Sequence, residues 1–287
     1  MGMSRVGVIF DCDGTLLDSM GMWHSLDDRI AERAGVVFTK ADRDIFTSST
    51  LDESADHMHM KYGIGTSGAH VAQMIKDELM GYYESEATTR AGVDDLVRGL
   101  HELGIPMAVA SSTPSEYLLV GLETVGLAPY FESVVSVEDI CSSKREPLVY
   151  DKARESLGTA RELTWGVEDA AYALQTLMCA GYRTCGIYDT DIAGTFEQLS
   201  EFSELTLRSF DHITPQTFLD LAVSGRSAWS KRDGATNGPS RKRQASEHGQ
   251  MKSHDPQIRA ANEDDDGYDP YSDRTERAPL FERDPWD

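Results

Sequence analysis

Two aspartates one residue apart, Asp11 and Asp13, end the apolar run Val6-Gly7-Val8-Ile9-Phe10, and Gly14 follows at once. Carboxylates packed this closely repel each other unless a cation or a shared proton intervenes. Three more polar positions recur at comparable places. Ser111 and Ser112 end a second apolar run, Lys144 stands in a loop before a helical segment, and Glu168-Asp169 end the run that begins at Thr164. Taken singly, each has a plain structural role: an Asx turn, a helix N-cap, a solvated loop charge, an acidic first helical turn. In this order, each at or beside a strand end, they point together to one crevice rich in carboxylates, hydroxyls and one ammonium. A divalent cation and the lysine would be the positive focus of such a site.

What must position these groups is a buried sheet. An uninterrupted apolar run reads as a strand covered on both faces, as in parallel sheets. In open α/β sheets the ligand crevice lies beyond the carboxyl ends of the strands. Strand and helix alternate across residues 91–222, with strands expected at 105–110, near 134–135, at 164–167, at 183–188 and near 205–207. That alternation predicts a doubly wound parallel sheet. Residues 18–90 are helical in period instead, as in Met22, Trp23, Leu26, Ile30 and Ala34, then 51–62 and 71–83. The expected architecture is an α/β core of residues 1–17 and 91–222 with an all-helical insertion at 18–90. A tail at 223–287, rich in Ser, Gly, Pro, Asp and Arg, is expected to be disordered. Met58, Met60, Met74 and Met80, at helical spacing, are expected in the core.

The sequence holds 27 Lys and Arg against 49 Asp and Glu, a formal net charge of −22, most of it within residues 1–222. Such a surface argues against nucleic acid or an anionic membrane as a partner. The 4 cysteines, Cys12, Cys141, Cys179 and Cys185, make no CxxC pair and are expected to be buried free thiols in a reducing compartment. No apolar run approaches the roughly 18 residues of a membrane helix. The first strand begins too soon after Met1 for a signal peptide. The expected location is cytoplasmic.

The string DxDGTLLDS at 11–19 is far more specific than a bare pair of aspartates. It resembles the nucleophile loop of the haloacid dehalogenase (HAD) superfamily. The later positions resemble the other three motifs of that family in order: a hydroxyl after the second strand (Ser111), a downstream lysine (Lys144), and a paired acid after the fourth strand (Glu168-Asp169). The match spans residues 1 to about 222. The helical insertion looks like the cap placed after the first motif in the subgroup related to β-phosphoglucomutase and phosphoglycolate phosphatase. The strings Trp165-Gly166-Val167-Glu168-Asp169-Ala170 and Ala180-Gly181-Tyr182 resemble that subgroup as well.

The resemblance implies a Mg²⁺-dependent phosphatase acting on a small phosphorylated metabolite. Asp11 would be the nucleophile, forming an aspartyl-phosphate. Asp13 would protonate the leaving alcohol and then deprotonate the hydrolytic water. Lys144, Ser111 and Ser112 would bind the phosphoryl oxygens. The ion would be held by Asp11, the backbone carbonyl of Asp13 and Asp169, with Glu168 nearby. Dehalogenases proper and phosphonoacetaldehyde hydrolases lack an aspartate at the position of Asp13, so phosphoester chemistry is favoured. A sugar phosphomutase of the β-phosphoglucomutase type is the nearest alternative, but the cap stretch 46–51 lacks the glycine and arginine of the mutase motif. A response-regulator receiver gathers similar groups to accept a phosphoryl group, but it is about half the size and has no DxDGT. Trp23, Thr47, Thr50 and His57 are expected on the cap side of the crevice. Arg145, where relatives usually have prolines close by, is expected to pair locally.

Overall fold

The computed structural model describes residues 6–224, without the side chains of residues 47, 48, 223 and 224. The tail expected from residue 223 onward lies outside the described residues, apart from the last two positions of the final helix. Six strands form one parallel sheet: β1 (Gly7–Phe10), β2 (Met107–Ser111), β3 (Val134–Ser136), β4 (Thr164–Glu168), β5 (Arg183–Ile187) and β6 (Leu205–Leu207). Their spatial order is β3-β2-β1-β4-β5-β6. Val8 pairs in register with Met107 on one side and Trp165 on the other. Every residue of β1 is buried, Val8 and Phe10 in one apolar core and Ile9 in a second with Ala108, Ala110, Val149 and Ala153. The charge-free run at 6–10 therefore serves both faces of a central strand, as its composition predicts.

The chain grows from β1 through β2 to β3 in one direction, then crosses back to lay β4 on the other side of β1. The carboxyl ends of β1 and β4 are thus the topological switch point, where a crevice opens between diverging loops. Asp11, Asp13, Glu168 and Asp169 all lie there. The doubly wound α/β expectation holds, with helices α5 (Val93–Glu102), α6 (Ser115–Thr124), α7 (Leu148–Leu157), α8 (Ala171–Cys179), α9 (Phe196–Phe202) and α10 (Pro215–Ser224) covering the sheet.

Between β1 and α5 the chain makes only helices: α1 (Met20–Ala34), α2 (Lys40–Ser48), α3 (Leu51–Tyr62) and α4 (Gly68–Ser85). Thr39 with Asp42 and Thr50 with Glu53 form capping boxes that start α2 and α3. Arg29 on α1 reaches Glu78 on α4 at 3.2 Å and Glu86 just past its end at 2.9 Å. The two chain crossings between insertion and core run side by side. The N–H of Asp18 donates to the Thr88 carbonyl at 2.9 Å and that of Arg90 to the Leu16 carbonyl at 3.0 Å.

Two short helices are not marked by the sequence pattern, and two local expectations, for Met60 and for Cys141 and Cys179, are corrected. The helix α2 has no clear apolar period because a carboxylate, Asp42, occupies one of its buried positions between Phe38 and Phe46. The short helix α9 buries only Leu199, too little for a period. Met60 is 78% exposed, because it lies on the face of α3 opposite Leu51, Ala55 and Met58. Cys12 and Cys185 are buried free thiols, whereas Cys141 and Cys179 are exposed.

Candidate active site

The loop after β1 is built to hold two carboxylates apart. The N–H of Asp11 still pairs with the Val167 carbonyl at 2.9 Å, so this residue keeps the strand's direction. The chain then folds back: the N–H groups of Leu16 and Leu17 both donate to the Cys12 carbonyl, each at 2.8 Å. Gly14 makes this turn at φ 77°, and a Cβ there would lie 2.4 Å from Oδ2 of Asp169. Both the left-handed backbone and the close approach require glycine. Gly14→Ala is expected to lower unfolding stability by about 1 kcal/mol or more from backbone strain alone and to push Asp169 aside. Urea denaturation measures the loss, and an unchanged midpoint would contradict it.

Three carboxyl groups and one lysine meet beside this loop. Asp11, Glu168 and Asp169 are buried, and each offers an oxygen within 4.8 Å of the others. Lys144 Nζ lies 2.6 Å from Asp11 Oδ1 and 2.8 Å from Glu168 Oε1. The Tyr150 hydroxyl donates to the same Glu168 oxygen at 2.8 Å. Glu168 Oε2 is buried with no hydrogen-bond partner. Burial pushes Glu168 up to about 8 against the pull of Lys144. It also holds Asp169 well above the carboxylate range, with help from the charges of Asp11 and Glu168, and raises Asp11. Burial works against the charge of Lys144, yet Asp11 and Glu168 keep it well above its ordinary range. One ammonium among three buried carboxyls leaves negative charge uncompensated. A hard divalent cation with oxygen ligands fits both that excess and the orphaned Glu168 oxygen.

Asp13 faces away from this cluster into a cage of hydroxyls. Ser19 and Tyr83 donate to its Oδ1 at 2.6 and 2.7 Å, and Thr113 donates to its Oδ2 at 2.7 Å. The Ser111 hydroxyl accepts from the Thr113 N–H at 3.3 Å, so the end of β2 is tied to the same group. The hydroxyls of Thr15 and Ser112 are buried without a hydrogen-bond partner. Arg90 closes the back of the loop. Its guanidinium donates to the carbonyls of Gly14 and Tyr188 and lies 3.1 Å from Asp189.

Of the residues singled out from sequence, Asp11, Lys144, Glu168 and Asp169 form one contacting cluster, and Asp13 and Ser111 join it through the loop and Thr113. Trp23 is half-buried and hydrogen-bonds the Tyr83 hydroxyl, one contact away from Asp13. The Thr50 hydroxyl caps α3, and His57 is held at 2.7 Å by the buried Asp42, which also pairs with Lys61 and Tyr62. The side chain of Thr47 lies outside the described residues. The guanidinium of Arg145 sits 4.8 Å over the ring of Tyr172, so its local partner is an aromatic ring rather than the carboxylate of a salt bridge. Sequence reasoning missed Ser19, Tyr83, Thr113, Tyr150 and Arg90. Ser19 lay within the quoted string at 11–19 and Thr113 directly follows Ser111-Ser112, but nothing in the sequence marks Tyr83, Tyr150 or Arg90.

A family model described as haloacid dehalogenase-like hydrolase matches residues 8–187, a stretch that contains every member of the cluster. The chain belongs to this family. Among curated relatives of this HAD hydrolase, phosphoglycolate phosphatase of Rhodobacter capsulatus is 28% identical over 61% of this chain and 80% of its own length. Validoxylamine A 7'-phosphate phosphatase of Streptomyces hygroscopicus subsp. limoneus is 26% identical over 72% of this chain and 97% of its own. With such relatives the enzyme falls among the phosphatases of the family. Among solved structures, CbbY of Rhodobacter sphaeroides in complex with phosphate shares the fold at a TM-score of 0.59 and 19% identity, covering 76% of this chain and 100% of that one. β-Phosphoglucomutase of Clostridium difficile does so at 0.57 and 16%, covering 75% and 96%. Among the described residues, no helix is long and apolar enough to cross a membrane.

Proposed function

We propose that this HAD enzyme hydrolyses a small phosphomonoester, with Mg²⁺, through a phosphoryl group carried on Asp11. The observation that carries the reading is the buried cluster in which Lys144 lies 2.6 Å from Asp11 while Glu168 and Asp169 stand within 4.8 Å of it. Asp11, Glu168 and Asp169, with the Asp13 backbone carbonyl, would hold the Mg²⁺, whose charge offsets the repulsion between a carboxylate nucleophile and a phosphoryl group. An Asp11 oxygen attacks phosphorus and the ester P–O bond breaks. Asp13 gives its proton to the departing oxygen, because an alkoxide leaves poorly without one. Lys144, beside the nucleophile, together with the Ser111 and Ser112 hydroxyls, binds the phosphoryl oxygens as charge moves onto them. Water then attacks the phosphoryl group and yields a proton to Asp13, which restores Asp11 and releases phosphate.

The phosphatases this chain is similar to support a phosphorylated organic molecule of modest size as substrate. The absence of glycine and arginine from the cap stretch 46–51 supports water rather than a second sugar as the acceptor. A cytoplasmic location remains part of this reading. The test is phosphate release across phosphorylated sugars, acids, nucleotides and polyols, with Mg²⁺ and with EDTA. Activity is expected to vanish in chelator and return with Mg²⁺. Mg²⁺ is also expected to raise the melting temperature, more at pH 8 than at pH 5.5. The buried carboxyls hold protons at the lower pH that must leave before a cation binds. Turnover unchanged after exhaustive chelation would sink the metal site.

A further inference from the structure

Asp13 is gripped from both sides of the junction between core and insertion. Thr113 of the core holds Oδ2, while Ser19, just before α1, and Tyr83, near the end of α4, hold Oδ1. Tyr83 comes from 70 residues away in the chain and is fully buried. Its ring is clamped. It stacks on Tyr117 of α6 with centroids 5.9 Å apart at 24°, and meets Tyr82 edge-on at 5.4 Å. Gly121 of α6 makes room for it, since a Cβ there would come within 2.6 Å of the ring. The Trp23 side chain holds the same hydroxyl. A hydroxyl fixed this firmly sets the carboxylate's rotamer.

We propose that Tyr83 is a positioning residue for Asp13: with Ser19 it holds Oδ1 and so fixes how the carboxylate is turned toward the reacting group. A residue of the cap thereby orients the acid–base group of the core. This inference rests on the assignment of Asp13 as acid and base.

The test separates steps that need a proton from steps that do not. Tyr83→Phe keeps the ring and its stacking and removes only the hydroxyl. With p-nitrophenyl phosphate, whose leaving group departs unprotonated, the burst of p-nitrophenol is expected to stay within about twofold of wild type. With an alkyl ester (glycerol 2-phosphate, or the sugar phosphate turned over best in the screen), kcat is expected to fall about tenfold with KM little changed. Gly121→Ala, whose Cβ would crowd the same ring at 2.6 Å and Leu17 of the Asp13 loop at 3.1 Å, is expected to reproduce that split. Tyr82→Phe, whose hydroxyl donates to the Asp18 carbonyl at 3.0 Å, is expected to behave as wild type. Wild-type kinetics in both Tyr83→Phe and Gly121→Ala, or equal losses on burst and alkyl turnover, would overturn the proposal. Asp13→Asn tells the two failures apart. If it shows the split and the Tyr83 variants do not, only the positioning role falls; if it shows none, the acid–base assignment falls and takes this inference with it.

Discussion

Asp11→Asn is expected to abolish phosphate release, by about 10⁴-fold or more, while leaving a folded protein. An amide is a poor nucleophile toward phosphorus, and the neighbouring carboxyls are committed elsewhere: Glu168 and Asp169 would be metal ligands. Asp13 is turned into its hydroxyl cage, and one oxygen of Glu168 is taken by Lys144 and Tyr150. Stability should move the other way. Burial raises Asp11, so its charged form costs the native state free energy. A carboxyl with a raised folded pKa binds more protons in the native than in the unfolded state, so its contribution to stability falls as pH rises. Replacing it by a neutral amide removes that loss. In chelator, the melting temperature of Asp11→Asn is expected to match or exceed that of wild type, with the difference larger at pH 8 than at pH 5. Phosphate release at the wild-type rate would remove Asp11 from the nucleophile's role. A variant less stable than wild type only at high pH would contradict the account of the buried charge.

Much of this site could be read from the chain because the chemistry sits next to its own supports. Asp11 directly follows the apolar run that makes β1, and Glu168-Asp169 close β4 in the same way, so type and position announce each other. The turn at Gly14 is equally local, since a left-handed φ and a carboxylate within reach both ask for glycine. What stayed hidden is what arrives through space. Tyr83 reads as one more large residue on a helix, and its hydroxyl matters only because α4 packs on α6 where Gly121 leaves a gap. Tyr150 looks like an ordinary core residue until the sheet brings Glu168 to its hydroxyl. The partner of His57 stayed hidden for the same reason: the buried Asp42 that holds it lies 15 residues earlier, in a helix whose apolar pattern that carboxylate interrupts.

Lys144→Met should be the most damaging change to stability and should lower activity as well, and its two effects have different pH signatures. The side chain is buried, with Nζ between Asp11 at 2.6 Å and Glu168 at 2.8 Å. Methionine fills the space of most of its stem but cannot answer either charge. Breaking a buried pair by removing one partner typically costs about 3–5 kcal/mol, because the other charge is left without compensation. Here the orphaned groups can escape by taking up protons, and burial already favours their neutral forms. Loss of the lysine raises both carboxyl pKa values further, so the native state of the variant binds more protons than the unfolded chain over a wider pH range. Stability then falls as pH rises. In chelator, the destabilisation measured by urea is expected to reach about 3 kcal/mol at pH 8 and to shrink clearly at pH 5.5. Activity should not recover with it. Protonating Asp11 removes the nucleophile, and neither pH restores a cation at the phosphoryl oxygens, so kcat is expected to stay down by about 10²–10³-fold throughout. A stability loss independent of pH would mean that packing, not charge, is what Lys144 supplies. A variant with near-normal kcat would show that the phosphoryl group is held by something other than this lysine.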